Sequence, residues 1–173
     1  LTGSIFLLPS NLIFDGDIRT EVKPVTPTLT TGHIGLNVTD LRRSKDFYTR
    51  VLGFDVIGES NEKQRAFAFL GQDRKVVLTL WQQSDGAFVL NRPGLHHLSF
   101  QVDSISEVQE VERRLRDSGV VIHHNGIVPH KEGADSGGVF FEDPDGIRLE
   151  VFAATGASAS HAPYGDAPTC GFF

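Results

Sequence analysis

The sequence predicts an α+β fold: two tandem βαβββ modules that pair their mixed sheets around a shared cleft. Three observations predict it. The hexapeptide His33-Ile-Gly-Leu-Asn-Val38 returns as His97-Leu-Ser-Phe-Gln-Val102, so the chain contains an internal repeat. An amphipathic helical pattern follows each copy. Three short strand-like segments then follow each helix.

Within the first module, His33–Val38 alternates as a strand. Leu41–Leu52 reads as a helix, with Asp40 as its N-cap and Leu41, Phe47, Tyr48, Val51 and Leu52 near one stripe. Strands are expected over roughly 53–59, 64–70 and 75–82. Opening the second module, His97–Val102 is again a strand. Its helix spans Ser104–Ser118, where Ser104 and Glu107 form a capping box and Ile105, Val108, Val111 and Leu115 share a face. Glu110–Arg114 and Glu112–Arg116 are spaced as i,i+4 ion pairs, and Gly119 is placed for a left-handed C-terminal cap. Strands are expected at roughly 120–124, 137–142 and 147–153. The closing strands also correspond, Val76–Trp81 beside Ile147–Phe152.

The 173 residues suit about one domain. Three regions are expected: an N-terminal arm over 1–30, a single domain over 31–152 with modules at about 31–82 and 94–152, and a tail over 153–173. The arm is polar and proline-containing near its end, and the tail is rich in Ala, Gly and Ser. A formal charge of -6 argues against nucleic acid as a partner. No apolar run approaches the ~20 residues that span a bilayer, so no membrane partner is expected. The single Cys170 excludes an internal disulfide framework and a Cys-rich zinc site. Leu1–Phe14 shows no clear basic, apolar and small-residue leader pattern, and the expected location is cytoplasmic.

Period 2 sorts the strand faces. Ile34, Leu36 and Val38 point one way; His33, Gly35 and Asn37 point the other. In the repeat, Leu98, Phe100 and Val102 oppose His97, Ser99 and Gln101. In the last strand, Leu149 and Val151 oppose Arg148, Glu150 and Phe152. The apolar sets belong under the helices. The remaining sets make a second face too polar for a core, which becomes the lining of a cleft. His33, His97 and Glu150 all fall on it. Two imidazoles and a carboxylate on rigid strands suit one divalent first-row metal per chain. The cleft is thereby a metal-binding cleft.

Gly32–Phe54, Leu95–Asp103 and the run Phe141-Glu-Asp-Pro-Asp-Gly-Ile-Arg-Leu-Glu-Val151 together resemble the vicinal oxygen chelate superfamily. That superfamily includes glyoxalase I, extradiol dioxygenases, fosfomycin-resistance enzymes and bleomycin-resistance proteins. The resemblance covers about residues 31–152. It implies paired βαβββ modules, a metal held by His33, His97 and Glu150, and a homodimer. The fourth ligand of glyoxalase-like members corresponds to Thr79, a poor ligand. The remaining set resembles the dioxygenases, for which Fe(II) is the favoured metal, with Mn, Ni or Zn as alternatives. Of the dioxygenases' acid–base helpers, only one is matched, by His130. The family's Tyr corresponds to Phe140, and its His ahead of the second metal His to about Gln83.

A small-molecule substrate is the expected partner. Asn37, Thr79, Ser99, Gln101 and Arg148 could orient it, Arg148 by pairing with an anion, while Trp81 and Phe152 could wall it. His96 is expected to point away from His97, and His123 and His124 are expected at a strand end as surface or supporting residues. The leading reading is an Fe(II) extradiol-like dioxygenase acting on vicinal oxygens. Two alternatives stand beside it: a non-redox lyase, isomerase or epoxide-opening enzyme, and a metal-free drug-sequestering protein. The apolar end Phe172–Phe173 carries a further expectation, that the tail folds back over a cleft.

Overall fold

A computed structural model describes residues 28–173, and residues 31–173 form one compact unit. The expected N-terminal arm over 1–30 lies, apart from 28–30, outside the described residues.

Two four-stranded mixed sheets carry the fold. The first contains β1 (Ile34–Asn37), β2 (Asp55–Ser60), β3 (Phe67–Gln72) and β4 (Lys75–Trp81), in the order β1-β4-β3-β2. The second contains β5 (Leu98–Val102), β6 (Val128–Pro129), β7 (Gly137–Glu142) and β8 (Arg148–Ala153), in the order β5-β8-β7-β6. Within each sheet the opening strand runs parallel to the closing strand and the other pairs are antiparallel. The identical order in both sheets is the tandem repeat expressed in space.

Helices α1 (Leu41–Leu52) and α2 (Ile105–Asp117) begin and end where their caps dictate. Asp40 accepts from the Arg43 N–H, and Gly53 closes α1 in the left-handed region at φ 72°. Ser104 and Glu107 form the expected capping box. Each cap satisfies backbone donors that would otherwise be orphaned, an effect of about 1 kcal/mol. Gly119 follows α2 at φ 67°.

One apolar core joins the modules. It takes Leu36, Leu78 and Leu80 from the first sheet, Leu149 and Val151 from the second, and Tyr48, Val108 and Leu115 from the helices. Phe47 packs on Phe141 and Phe54 on Phe100 across the module boundary. Polar contacts reinforce the junction. Tyr48 Oη donates to the buried Asp143 at 2.9 Å. Asp145 accepts from the Thr39 N–H, the Thr39 hydroxyl and the Arg43 guanidinium. The Glu-Asp-Pro-Asp-Gly segment of the second module is thus clamped onto the start of α1.

One expected strand is absent. Residues 120–124 were expected to be extended, but His123–Asn125 form a 3-10 turn. His124 and Asn125 take φ values of 58° and 61°, in the left-handed region that a strand cannot include. Only an isolated bridge, Ile122 to Phe141, survives there, and the edge position passes to β6. Pro129 is tolerated because an edge strand leaves N–H positions unpaired.

Candidate functional site

The strand registers align the two halves residue by residue. Ser99 faces Glu150 across β5–β8, and Gly35 faces Thr79 across β1–β4. Thr79 is therefore the repeat counterpart of Glu150, and His33 the counterpart of His97. The sheet faces carrying these residues are opposite to those that supply Leu36, Leu80, Leu149 and Val151 to the common core.

On the second sheet the structure brings Glu150, His97 and His130 together. Glu150 is only 3% exposed. His130 Nε2 lies 2.6 Å from Glu150 Oε1 and His130 Nδ1 lies 3.0 Å from Ser136 Oγ. An ionised carboxylate only accepts, so Nε2 carries the proton and Nδ1 accepts from the serine hydroxyl. His97 Nε2 is 3.6 Å from Glu150 Oε2, beyond hydrogen-bond range. His97 Nδ1 meets His96 Nδ1 at 2.9 Å. His96 therefore does not point away from its neighbour: both precede β5, where strand alternation does not yet apply. Burial pushes the His97 imidazole below its ordinary pKa, with the Glu150 charge opposing.

The first-sheet residues lie elsewhere. His33 is exposed at the entrance to β1, and the described residues contain no group of three or more His, Cys, Asp or Glu placed to hold a metal. Within one chain, then, His33 does not join His97 and Glu150. Thr79 is 4% exposed and accepts from Trp81 Nε1 at 3.0 Å. Gly35 makes room for that bond, since a Cβ there would sit 3.3 Å from Thr79 Oγ1 and 3.6 Å from Trp81 Nε1. Phe67, Phe69 and Trp81 form a half-buried aromatic cluster on the same face. Asn37, Ser99 and Gln101 are exposed. A cavity of about 410 Å³ is lined by Ile34, Gly35, Leu36 and Asn37, the 84–95 connection, Asp145 and Ile147, and not by Glu150.

The second sheet's face is covered by the tail. Thr169 is fully buried, its N–H donating to the His130 carbonyl and its hydroxyl to the Pro129 carbonyl, both at 2.7 Å. Phe173, 6% exposed, packs on Phe140 at 4.8 Å and on His97 and His123 at 5.8 and 5.6 Å between ring centroids. The Arg148 guanidinium lies 5.3 Å from the Phe173 ring centre. Phe152 packs on the His130 ring. His123 and His124 belong to this cluster too, His124 touching Phe140 and Tyr164. The terminal aromatic pair was the sequence signal for this cover; nothing local in the sequence indicated that Thr169 would anchor it.

These features meet their match in known proteins. The sequence model of the Glyoxalase/Bleomycin resistance protein/Dioxygenase superfamily covers residues 30–151. The chain belongs to that superfamily. A catechol-2,3-dioxygenase of Bacillus subtilis is 30% identical over 125 residues, covering 70% of this chain but only 40% of the dioxygenase. A lactoylglutathione lyase of Escherichia coli O157:H7 is 31% identical over 129 residues, 69% of this chain and 88% of the lyase. A glyoxalase/bleomycin resistance protein/dioxygenase domain from Frankia shares the fold with a TM-score of 0.63 and 26% identity, covering 73% of this chain and 98% of that one. Superfamily relatives of this chain thus include both a dioxygenase and a lyase. Among the described residues, no helix is long and apolar enough to cross a membrane.

Proposed function

We propose that this protein is a metal-dependent enzyme acting on a small organic substrate with vicinal oxygens, with an Fe(II) extradiol-like dioxygenase as the leading activity. The observation that carries the proposal is Glu150: a buried carboxylate bonded to His130 through one oxygen, with His97 3.6 Å from the other and, among the described residues, no Lys or Arg ion-pair partner. A carboxylate left charged in such surroundings is costly unless a cation compensates it. The N,N,O donor set fits a divalent first-row ion.

His97 and Glu150 supply two of the ligands. The third, His33, comes in this reading from a second copy. Its sheet face and that of Glu150 both point away from the core that the modules share, so a two-fold dimer brings them together in this reading once the tail on Glu150's face is displaced. Such a metal, when bound, polarises vicinal oxygens and, as Fe(II), also supports oxygen chemistry. The protein's own residues do the rest. His130 holds a proton on Nε2 beside Glu150 and is the acid–base candidate. Ser136 holds its other nitrogen. Phe67, Phe69 and Trp81 offer an apolar wall, while Asn37, Ser99 and Gln101 offer polar contacts.

A second reading is non-redox Lewis-acid chemistry with Mn, Ni or Zn. It is favoured by the lyase relative, most of whose length this chain covers. The deciding experiment is elemental analysis of protein purified anaerobically without chelator or His tag, beside Glu150→Ala. About one iron per chain, lost in the variant, with oxygen uptake on catechol-like substrates, supports the dioxygenase. Mn, Ni or Zn near stoichiometry supports the lyase or isomerase. A protein that takes up no metal on reconstitution overturns both.

A further inference from the structure

The tail residue Phe173 occupies a specific place on the second sheet. Its ring lies between Phe140, His97 and His123 and against the Arg148 guanidinium. Together with Phe140 and Val128 it makes a small apolar cluster separate from the main core, with Cys170 at its edge. The segment is held at Thr169, which is pinned to the backbone of Pro129 and His130, and again at Phe172, whose carbonyl accepts from Tyr164 Oη at 2.6 Å. Beyond Thr169 come the exposed Gly171 and Phe172 and then the Phe173 ring.

Arg148 supplies the independent observation. Its Nε is buried with no hydrogen-bond partner. A guanidinium with an orphaned N–H facing an aromatic ring lacks the anion that its fork geometry suits. Cation–π attraction compensates only in part. The same strand carries Glu150 two residues on, so the unsatisfied cation lies beside the candidate reaction centre.

We propose that residues 170–173, anchored at Thr169, form a displaceable strap whose Phe173 ring shuts an anion subsite at Arg148, and that a ligand bearing a carboxylate next to an apolar ring opens it by taking the place of Phe173. The inference rests on the reading of the His97–Glu150 face as the reaction site. The strap deducts the closed fraction from the apparent affinity, so removing the ring raises affinity without adding a contact.

The test uses benzoate as probe and neutral benzamide as control, by calorimetry on the full chain. Phe173→Ala is expected to bind benzoate about tenfold more tightly than the unaltered chain, with a smaller gain for benzamide. Adding Arg148→Gln is expected to abolish the difference between the two probes. In the unaltered chain, benzoate is expected to speed iodoacetamide labelling of Cys170 several-fold, because that thiol sits within the strap. Equal or weaker benzoate binding by Phe173→Ala, or a gain that Arg148→Gln leaves intact, overturns the proposal. Should Phe173→Ala not fold, Cys170 labelling decides: acceleration by benzoate supports the strap, and no change or protection refutes it. None of these readouts needs metal or turnover. A protein that shows the strap behaviour but takes up no metal would count against the metal-dependent function alone.

Discussion

His130 Nε2 donates to Glu150 Oε1 at 2.6 Å, and the Ser136 hydroxyl holds the opposite ring nitrogen. A carboxylate so held presents its second oxygen, Oε2, toward His97. His130 thus orients the residue on which the proposed metal centre depends.

Removing that orientation should weaken metal binding without unfolding the chain. His130→Ala is expected to lower metal affinity by about 10- to 100-fold, and His130→Gln, which keeps a donor, to recover part of it. Competition against a chelator of known affinity measures both, with circular dichroism confirming the fold.

A centre shared between two copies makes a prediction that a centre within one chain does not. His33→Ala and Glu150→Ala should each lose metal. When the two variants are unfolded together and refolded, half the dimers should be mixed, each with one intact centre. Metal content should then return to about one quarter of the unaltered value. No recovery in the mixture would refute the shared centre.

Tyr48 and Asp143 tie the modules together at 2.9 Å in a buried setting. Burial pushes the Asp143 carboxyl above its ordinary pKa, and the Tyr48 hydroxyl bond opposes that rise. Tyr48→Phe leaves a buried carboxylate oxygen without its donor and should cost about 1–3 kcal/mol in urea denaturation at neutral pH. An acid with a raised folded pKa contributes stability below its unfolded value near 3.9 and loses it as pH rises through the folded value. Tyr48→Phe raises Asp143 further, so its penalty should shrink in acid, where the carboxyl is protonated in both states.

Acid should weaken the chelator-treated protein through its histidines. Burial lowers the pKa of both His97 and His124. A base with a lowered folded pKa contributes stability that is fully present above about 6.5 and lost as pH falls through the lowered value. The Tm should therefore drop between neutral pH and about pH 5, and a His97→Asn, His124→Gln double variant should show a flatter profile. An unchanged slope would show that other groups govern the acid response.

Much of the fold was legible because local chemistry and the repeat agreed. Asp40, Gly53 and the Ser104–Glu107 box set the helix ends by hydrogen bonds that span three or four residues, so sequence neighbours suffice. Period 2 placed Glu150 opposite Leu149 and Val151 for the same reason. The misread segment, 120–124, failed because its conformation depends on left-handed residues at His124 and Asn125, where apolar alternation carries no signal.

The amino-acid sequence by itself determined the two βαβββ modules, the placing of Glu150 on the face opposite Leu149 and Val151, and the repeat equivalence of His33 with His97. Those depend on spacing along single elements. Only the tertiary structure decided that His130 bonds Glu150, that His33 stays apart from them within one chain, and that Phe173 lies on Arg148. These relationships join residues 20, 117 and 25 positions apart. They follow from how sheets, helices and tail pack on one core, which no local pattern encodes.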